Sequence, residues 1–327
     1  MTEHYLKIKE NALKIKRSIS NIIWLSGIEK FPDFINLVNN SLYISAIELS
    51  LYNIFERTDI TAKELFDLRN QVTEENVEIS GIHNIFADSE NFQESFFSSK
   101  EAFEKTAKRV ENYIDYARIL DVKNLSLDFM NFLNVDNISQ NEADSIFLKF
   151  LTRIDEYSNG DIFIHIVPTS ENNRNYLNKY VDAIELIKKA RLKNIKVLLD
   201  LKEIFSTLSF DLKYFKDNRD YINHFHISNL DGGAITFTDI PMHNKMVNIS
   251  YSQDYTNNFF VMKIQNLTEE QKHEIENYEH FIHVFKEIYQ VPLELSPFCS
   301  KLFANFIYRH ISAEGPDIEH LYNYDIH

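Results

Sequence analysis

Two histidines one residue apart, His224 and His226 in Tyr221-Ile-Asn-His-Phe-His-Ile-Ser-Asn229, are the first feature of this sequence with chemical content. Alternate side chains of an extended strand share a face, so both imidazoles point the same way. A second feature is Asp200, where the apolar run Lys196-Val-Leu-Leu stops on a carboxylate. A buried carboxylate is costly unless it is paired or hydrogen-bonded. Short apolar runs elsewhere carry Glu48, His83, Asp128, His165 and Lys263 at or near their ends, and Glu203 follows Asp200 by three residues. Imidazoles, carboxylates and an ammonium together can move protons, polarise a carbonyl or hold a divalent cation. Each also has a plain structural role open to it. Asp200 can cap the helix that follows, His224 can be a satisfied core histidine, and Arg174 can be a solvated surface arginine.

These residues act together only if the chain brings the ends of the apolar runs to one place. Runs at 21–26, 46–51, 77–84, 124–129, 161–168, 195–200, 222–228 and 259–265 alternate with longer stretches of helical period. That alternation predicts parallel strands joined by helices. Eight such units predict one closed (β/α)8 barrel, whose ligand site lies at the C-terminal ends of the strands. Thr61 with Glu64, Ser98 with Glu101 and Thr268 with Gln271 read as capping boxes that start helices. The stretch 180–193 is the clearest amphipathic helix, with Val181, Ile184, Ile187 and Leu192 as its apolar stripe. Residues 1–20 read as an extra N-terminal helix, 21–290 as the barrel and 291–327 as a C-terminal helical extension.

Composition narrows the function classes. Only six glycines occur in 327 residues, and Gly232-Gly233 is the one adjacent pair. Phosphate-cradling loops and dinucleotide fingerprints need several glycines at fixed offsets, so neither is present. A net charge of −15 without a basic cluster argues against nucleic acid as a partner. One cysteine, Cys299, excludes an internal disulfide and fits a reducing compartment. No apolar run is long enough to span a bilayer. The expectation is a cytoplasmic protein with no membrane partner that acts on a small molecule, with a homodimer as the default assembly.

The histidine run around 224–226 resembles the seventh-strand signature of the xylose-isomerase-like TIM barrels. In the same way Val197-Leu-Leu-Asp200 is similar to their sixth-strand signature and Ala46-Ile-Glu-Leu49 to their second. Ile166-Val-Pro168 followed by Asn173-Arg174 sits where such chains read Glu-Pro and then Asn-Arg. The resemblance implies an α/β (β/α)8 TIM barrel and a sugar-phosphate isomerase or epimerase that moves a proton next to a carbonyl. It implies Asp200 and His226 as metal ligands and catalytic residues, with Glu48, Glu203 or Lys263 as acid, base or electrostatic partner. Arg174, His83 and His165 would then contact a sugar-like substrate. The two glutamate ligands of such barrels are missing, because Val167 and Lys263 occupy those places, and Glu203 stands where a further histidine is usual. A divalent ion (Mn, Zn, Mg or Fe) is therefore expected only if other strand ends replace those ligands. The alternatives are that the Lys263 ammonium supplies the positive charge, or that the barrel is a binding or regulatory protein that has lost catalysis.

Overall fold

The run Ile195–Asp200 shows how the barrel is built, since Ile195, Val197, Leu198 and Leu199 are all fully buried. Such a run suits a parallel strand covered on one face by helices and on the other by the barrel interior. The computed structural model describes residues 16–23, 27–39, 45–88, 92, 94–127, 133–135, 138–169, 175–206, 211–228 and 259–263. The strands β1 (Lys16–Ser20), β2 (Ala46–Leu49), β3 (Glu78–Ile82), β4 (Asn124–Leu127), β5 (Phe163–Ile166), β6 (Ile195–Asp200), β7 (Ile222–Ile227) and β8 (Phe259–Met262) pair in chain order. All pairs are parallel, and β8 returns to β1, with Ser18 opposite Val261, so the sheet is a closed barrel.

Helices α1 (Phe31–Asn39), α2 (Leu51–Phe55), α3 (Ala62–Glu74), α4 (Lys100–Leu120), α5 (Gln140–Ser158), α6 (Tyr180–Ala190), α7 (Leu201–Ser206) and α8 (Leu212–Asp217) lie between the strands. Helix α4 buries Ala107, Val110, Tyr113, Ile114 and Ala117, and α5 buries Phe147, Phe150, Leu151 and Ile154. Each large apolar side chain taken out of water contributes about 1.5–3 kcal/mol, so this outer layer holds the cylinder closed. Thr61 and Glu64 form the expected capping box at α3. At α4 the cap is Ser99 rather than Ser98, its hydroxyl accepting from the Ala102 N–H at 3.0 Å. Helix α6 turns Tyr180, Ala183, Ile184 and Ile187 inward and leaves Val181 exposed, so Val181 is not part of the apolar stripe. Among the described residues no helix is long and apolar enough to cross a membrane.

Seven strands stand where the sequence places them, β6 with the same bounds. The first does not. It is Lys16–Ser20, inside the segment expected to be an N-terminal helix, and 21–23 form a 3-10 turn instead of strand. The reason lies in the barrel interior. Ser18 Oγ meets Ser80 Oγ at 2.6 Å, and Ser20 Oγ meets His83 Nε2 at 2.7 Å. A strand whose inward residues are serines carries little apolar signal, and the neighbouring Ile22-Ile23-Trp24-Leu25 run reads more strongly. The rest of the N-terminal segment, the C-terminal extension at 291–327 and the Thr268 cap lie outside the described residues.

Two irregularities in the strand register re-aim side chains toward the interior. Ile47 pairs with Ile79 but Glu48 with Gly81, which makes Ser80 an extra residue on β3. Val197 pairs with Ile222 but Leu198 with His224, which makes Asn223 the extra residue on β7. Bulges of this kind let neighbouring residues serve one side of a strand. Gly81 is required by space. A Cβ there would lie 3.0 Å from the Asn124 carbonyl oxygen, 3.1 Å from the Asn124 Cβ and 3.3 Å from Glu48 Oε1. Gly81→Ala is expected to cost about 1–3 kcal/mol, the usual range for overpacking. Urea unfolding would read this, and an unchanged midpoint would show that β3 can move away from Asn124.

Candidate active site

The C-terminal strand ends gather one connected set of ionisable groups. Glu48 comes from β2, His165 from β5, Asp200 from the last position of β6, and His224 and His226 from β7. His83 follows β3 and Lys263 follows β8. All are buried. Asp200 and Lys263 keep 6% exposure whereas Glu48, His83, His165 and His224 have none, so the first two stand nearer solvent.

Glu48 is at the centre. Its Oε1 accepts a hydrogen bond from His224 Nε2 at 2.7 Å. Its Oε2 lies 2.8 Å from His226 Nε2, an ion-pair contact without hydrogen-bond alignment. The other nitrogen of His226, Nδ1, is 3.5 Å from Asp200 Oδ2, and Lys263 Nζ is 3.6 Å from the same oxygen. The groups therefore run Lys263, Asp200, His226, Glu48 with alternating sign, and the His224 N–H closes the series on the other oxygen of Glu48. Burial works against ionising Glu48, but the charges of His226, His83 and His224 overcome it and hold its carboxyl well below the usual range. Burial also opposes an imidazolium at His226. The Glu48 carboxylate, helped by Asp200 and opposed by Lys263, outweighs that and pushes His226 up to about 9. Burial dominates at His224 and pulls its pKa down despite Glu48.

The flanking histidines pack against these rings. His165 stacks on His224 at 5.0 Å between centroids, and its Nε2 lies 2.6 Å from Asn223 Oδ1. Burial, then the nearby His224, hold His165 well below the ordinary histidine value. His83 meets His226 edge to face at 5.9 Å. Asp200 uses its two oxygens differently. Its Oδ1 accepts from the Lys202 N–H at 3.0 Å and so caps α7, while its Oδ2 faces His226 and Lys263. The Tyr180 hydroxyl accepts from the Asp200 N–H at 3.0 Å and donates to the Asp200 carbonyl at 3.3 Å, fixing the end of β6.

The structure thus brings Asp200, His226, Lys263 and Glu48 together, with His83 and His165 beside them. Glu203 is buried in the first turn of α7. Arg174 and Asp128 lie outside the described residues. Sequence reasoning passed over Ser20, Asn223 and Tyr180, which orient the ionisable groups. Asn223 carries a faint signal as the polar neighbour of His224, while Tyr180 and Ser20 carry none without tertiary contacts.

The strand-end ligand set implied by the resemblance does not fit a cation. The Val167 side chain has no ligand atom, and the Lys263 ammonium already faces Asp200. A different group does fit by chemistry: Glu48, His224 and His226 each offer a ligand atom, all within 4.8 Å of one another. Mixed nitrogen and oxygen donors of this kind suit a divalent ion such as zinc, manganese or iron.

A family model described as xylose isomerase-like TIM barrel matches residues 44–288. No curated protein matches the sequence. Among solved structures, a D-psicose 3-epimerase crystallised with D-fructose aligns with a TM-score of 0.65 at 13% identity, covering 86% of this chain and 99% of that one. A 3-keto-D-glucoside 4-epimerase from E. coli aligns with a TM-score of 0.60 at 13% identity, covering 82% and 99%. An AP endonuclease, family 2, from Brucella melitensis aligns with a TM-score of 0.57 at 13% identity, covering 78% and 95%. At such identities these likenesses speak for the fold.

The charges set a pH profile for the chelator-treated protein. His165 and His224 have folded pKa values below 6.5, so the unfolded chain binds more protons and stability falls as pH drops below about 6.5. His226 acts in the opposite sense. Its contribution is fully present below 6.5 and is lost as pH rises through about 9. The Glu48 contribution is present above 4.5 and is lost only in stronger acid. The urea midpoint is therefore expected to peak near neutral pH, with the alkaline decline flattened in His226→Gln. A midpoint that stays level from about pH 7 to 9 in the parent protein would show that His226 is not held as an imidazolium.

Proposed function

The chain belongs to the xylose isomerase-like TIM-barrel family, and from that premise we propose that it is an isomerase or epimerase acting on a small, sugar-like substrate. The reaction is proton transfer at a carbon next to a carbonyl, carried out at the C-terminal mouth of the barrel. One observation carries this reading: the Asp200 carboxylate is shared by two basic groups, His226 Nδ1 at 3.5 Å and Lys263 Nζ at 3.6 Å. The epimerases among the structural neighbours support the substrate class.

Asp200 Oδ2 takes the proton from carbon, and Lys263 donates a hydrogen bond to the carbonyl oxygen, where negative charge develops. The two events are coupled electrostatically. As charge builds on the substrate oxygen it draws the ammonium away from Asp200, and the carboxylate becomes a stronger base as it is needed. Return of the proton from Asp200 to the adjacent carbon completes isomerisation, as the hydroxyl proton moves between the two oxygens of the enediol. Epimerisation needs a second carboxyl, and Glu203, three residues beyond Asp200, is proposed for it: protonated at the start, it gives its own proton to the opposite face, and solvent then resets the protonated Asp200 and the ionised Glu203. His226 is a positioning residue whose Nδ1 orients Asp200. A divalent ion, when bound by Glu48, His224 and His226, would add Lewis-acid charge to the site. The barrel is proposed to work in the cytoplasm, as a homodimer, without nucleic acid.

Val167 favours a second reading, a binding protein that kept the barrel without its chemistry, because it removes a carboxylate at the strand-five position. One experiment separates the two. The purified protein is incubated in D2O with ketoses, aldoses and their phosphates, and exchange at the carbon beside the carbonyl is followed by NMR. Exchange is expected with at least one of them. Asp200→Asn should slow it by about 10²-fold or more in a protein that still folds, since asparagine keeps the helix cap, although melting falls because His226 and Lys263 lose their counter-charge. Lys263→Met should cost about 10²–10³-fold. A folded protein that exchanges no substrate would support the binding reading.

A further inference from the structure

We propose that Glu48, His224 and His226 form a site for one divalent transition-metal ion, below the Asp200–Lys263 pair and distinct from the strand-end ligand set that Val167 and Lys263 interrupt. The ligand atoms converge within 4.8 Å of one another, and all three side chains are buried. Glu48 Oε2 and His226 Nε2 face each other at 2.8 Å as an ion pair without hydrogen-bond alignment, so both present a ligand atom to the same gap.

The donor set selects the ion. Two imidazoles and one carboxylate suit zinc, cobalt(II) or iron(II), whereas magnesium and calcium prefer oxygen donors throughout. Three protein ligands also leave a coordination position open. Ligand atoms bound at about 2.0–2.2 Å to one ion stand about 3 Å or more apart. The Glu48–imidazole separations of 2.7 and 2.8 Å are those of a gap filled by protons. An ion replaces those protons and moves the carboxylate outward by a few tenths of an ångström, and Gly81 removes a Cβ that would stand 3.3 Å from Glu48 Oε1. The surroundings match what ligating histidines need. The far nitrogen of His226 is turned to the Asp200 carboxylate, and the His224 ring is braced by stacked His165. Such outer partners fix ring orientation around bound metals.

The site stands independently of the epimerase reading, because binding rather than turnover reads it. Full-length protein is stripped with a chelator and titrated with cobalt(II) alone, following the visible absorption of the bound ion. One equivalent per chain is expected, with zinc displacing it. Glu48→Gln and His224→Gln should each weaken binding at least tenfold, and Lys263→Met should not weaken it. If the core variants fail to fold, X-ray absorption on the parent protein decides, since this site scatters as two imidazoles. Absence of stoichiometric binding would overturn the proposal. So would a bound ion with one imidazole whose affinity falls in Asp200→Asn but not in His224→Gln.

Discussion

A carboxylate with no exposure to water, Glu48, is the constraint around which the interior of this barrel is arranged. Desolvating an isolated carboxylate costs several kcal/mol or more, so the fold must place positive charge or donors against both oxygens. It does so with two imidazoles from one strand: the His224 N–H on one oxygen and the His226 ring on the other. The same carboxylate holds the proton on His226, and His226 in turn faces Asp200, which faces Lys263. The signs alternate outward from Glu48, and each group lowers the cost of burying the next.

Backbone detail follows from that requirement. The extra residues Ser80 on β3 and Asn223 on β7 interrupt the register beside the cluster, and Gly81 leaves room for the Glu48 carboxylate. Asn223 bonds His165, which stacks on His224, so a bulge on one strand steadies a ring that faces the central carboxylate. Barrels of this architecture commonly fill their interior with layers of branched apolar side chains. Here much of the upper interior is polar, and Ser18, Ser20, Ser80 and His83 extend the hydrogen-bonded region toward β1 and β3. The apolar packing lies mainly between the strands and the surrounding helices.

The two ends of the charge chain differ in exposure. Asp200 and Lys263 are its members nearest to solvent, and Tyr180 clamps the backbone that carries Asp200. Glu48, His224 and His226 lie deeper, where ligand type and convergence suit a cation. Because His226 belongs to both, with one nitrogen toward Glu48 and the other toward Asp200, any change in the inner cluster is passed to the carboxylate at the mouth.

Much of this was legible in the sequence for a simple reason: strand and helix periods are local. The alternating apolar runs specified the barrel and seven of its strands, and Asp200, His226, Glu48 and Lys263 were visible as polar residues in apolar runs. Tertiary structure alone decided the rest. Strand β1 escaped because its inward residues are serines that meet β3 and His83 only across the closed sheet. The pairing of Glu48 with two histidines about 176 residues away, set by two register shifts, depends on long-range contacts that no local pattern encodes. Residue types thus announced acid, base and ammonium, but which nitrogen meets which oxygen follows from the closure of the cylinder.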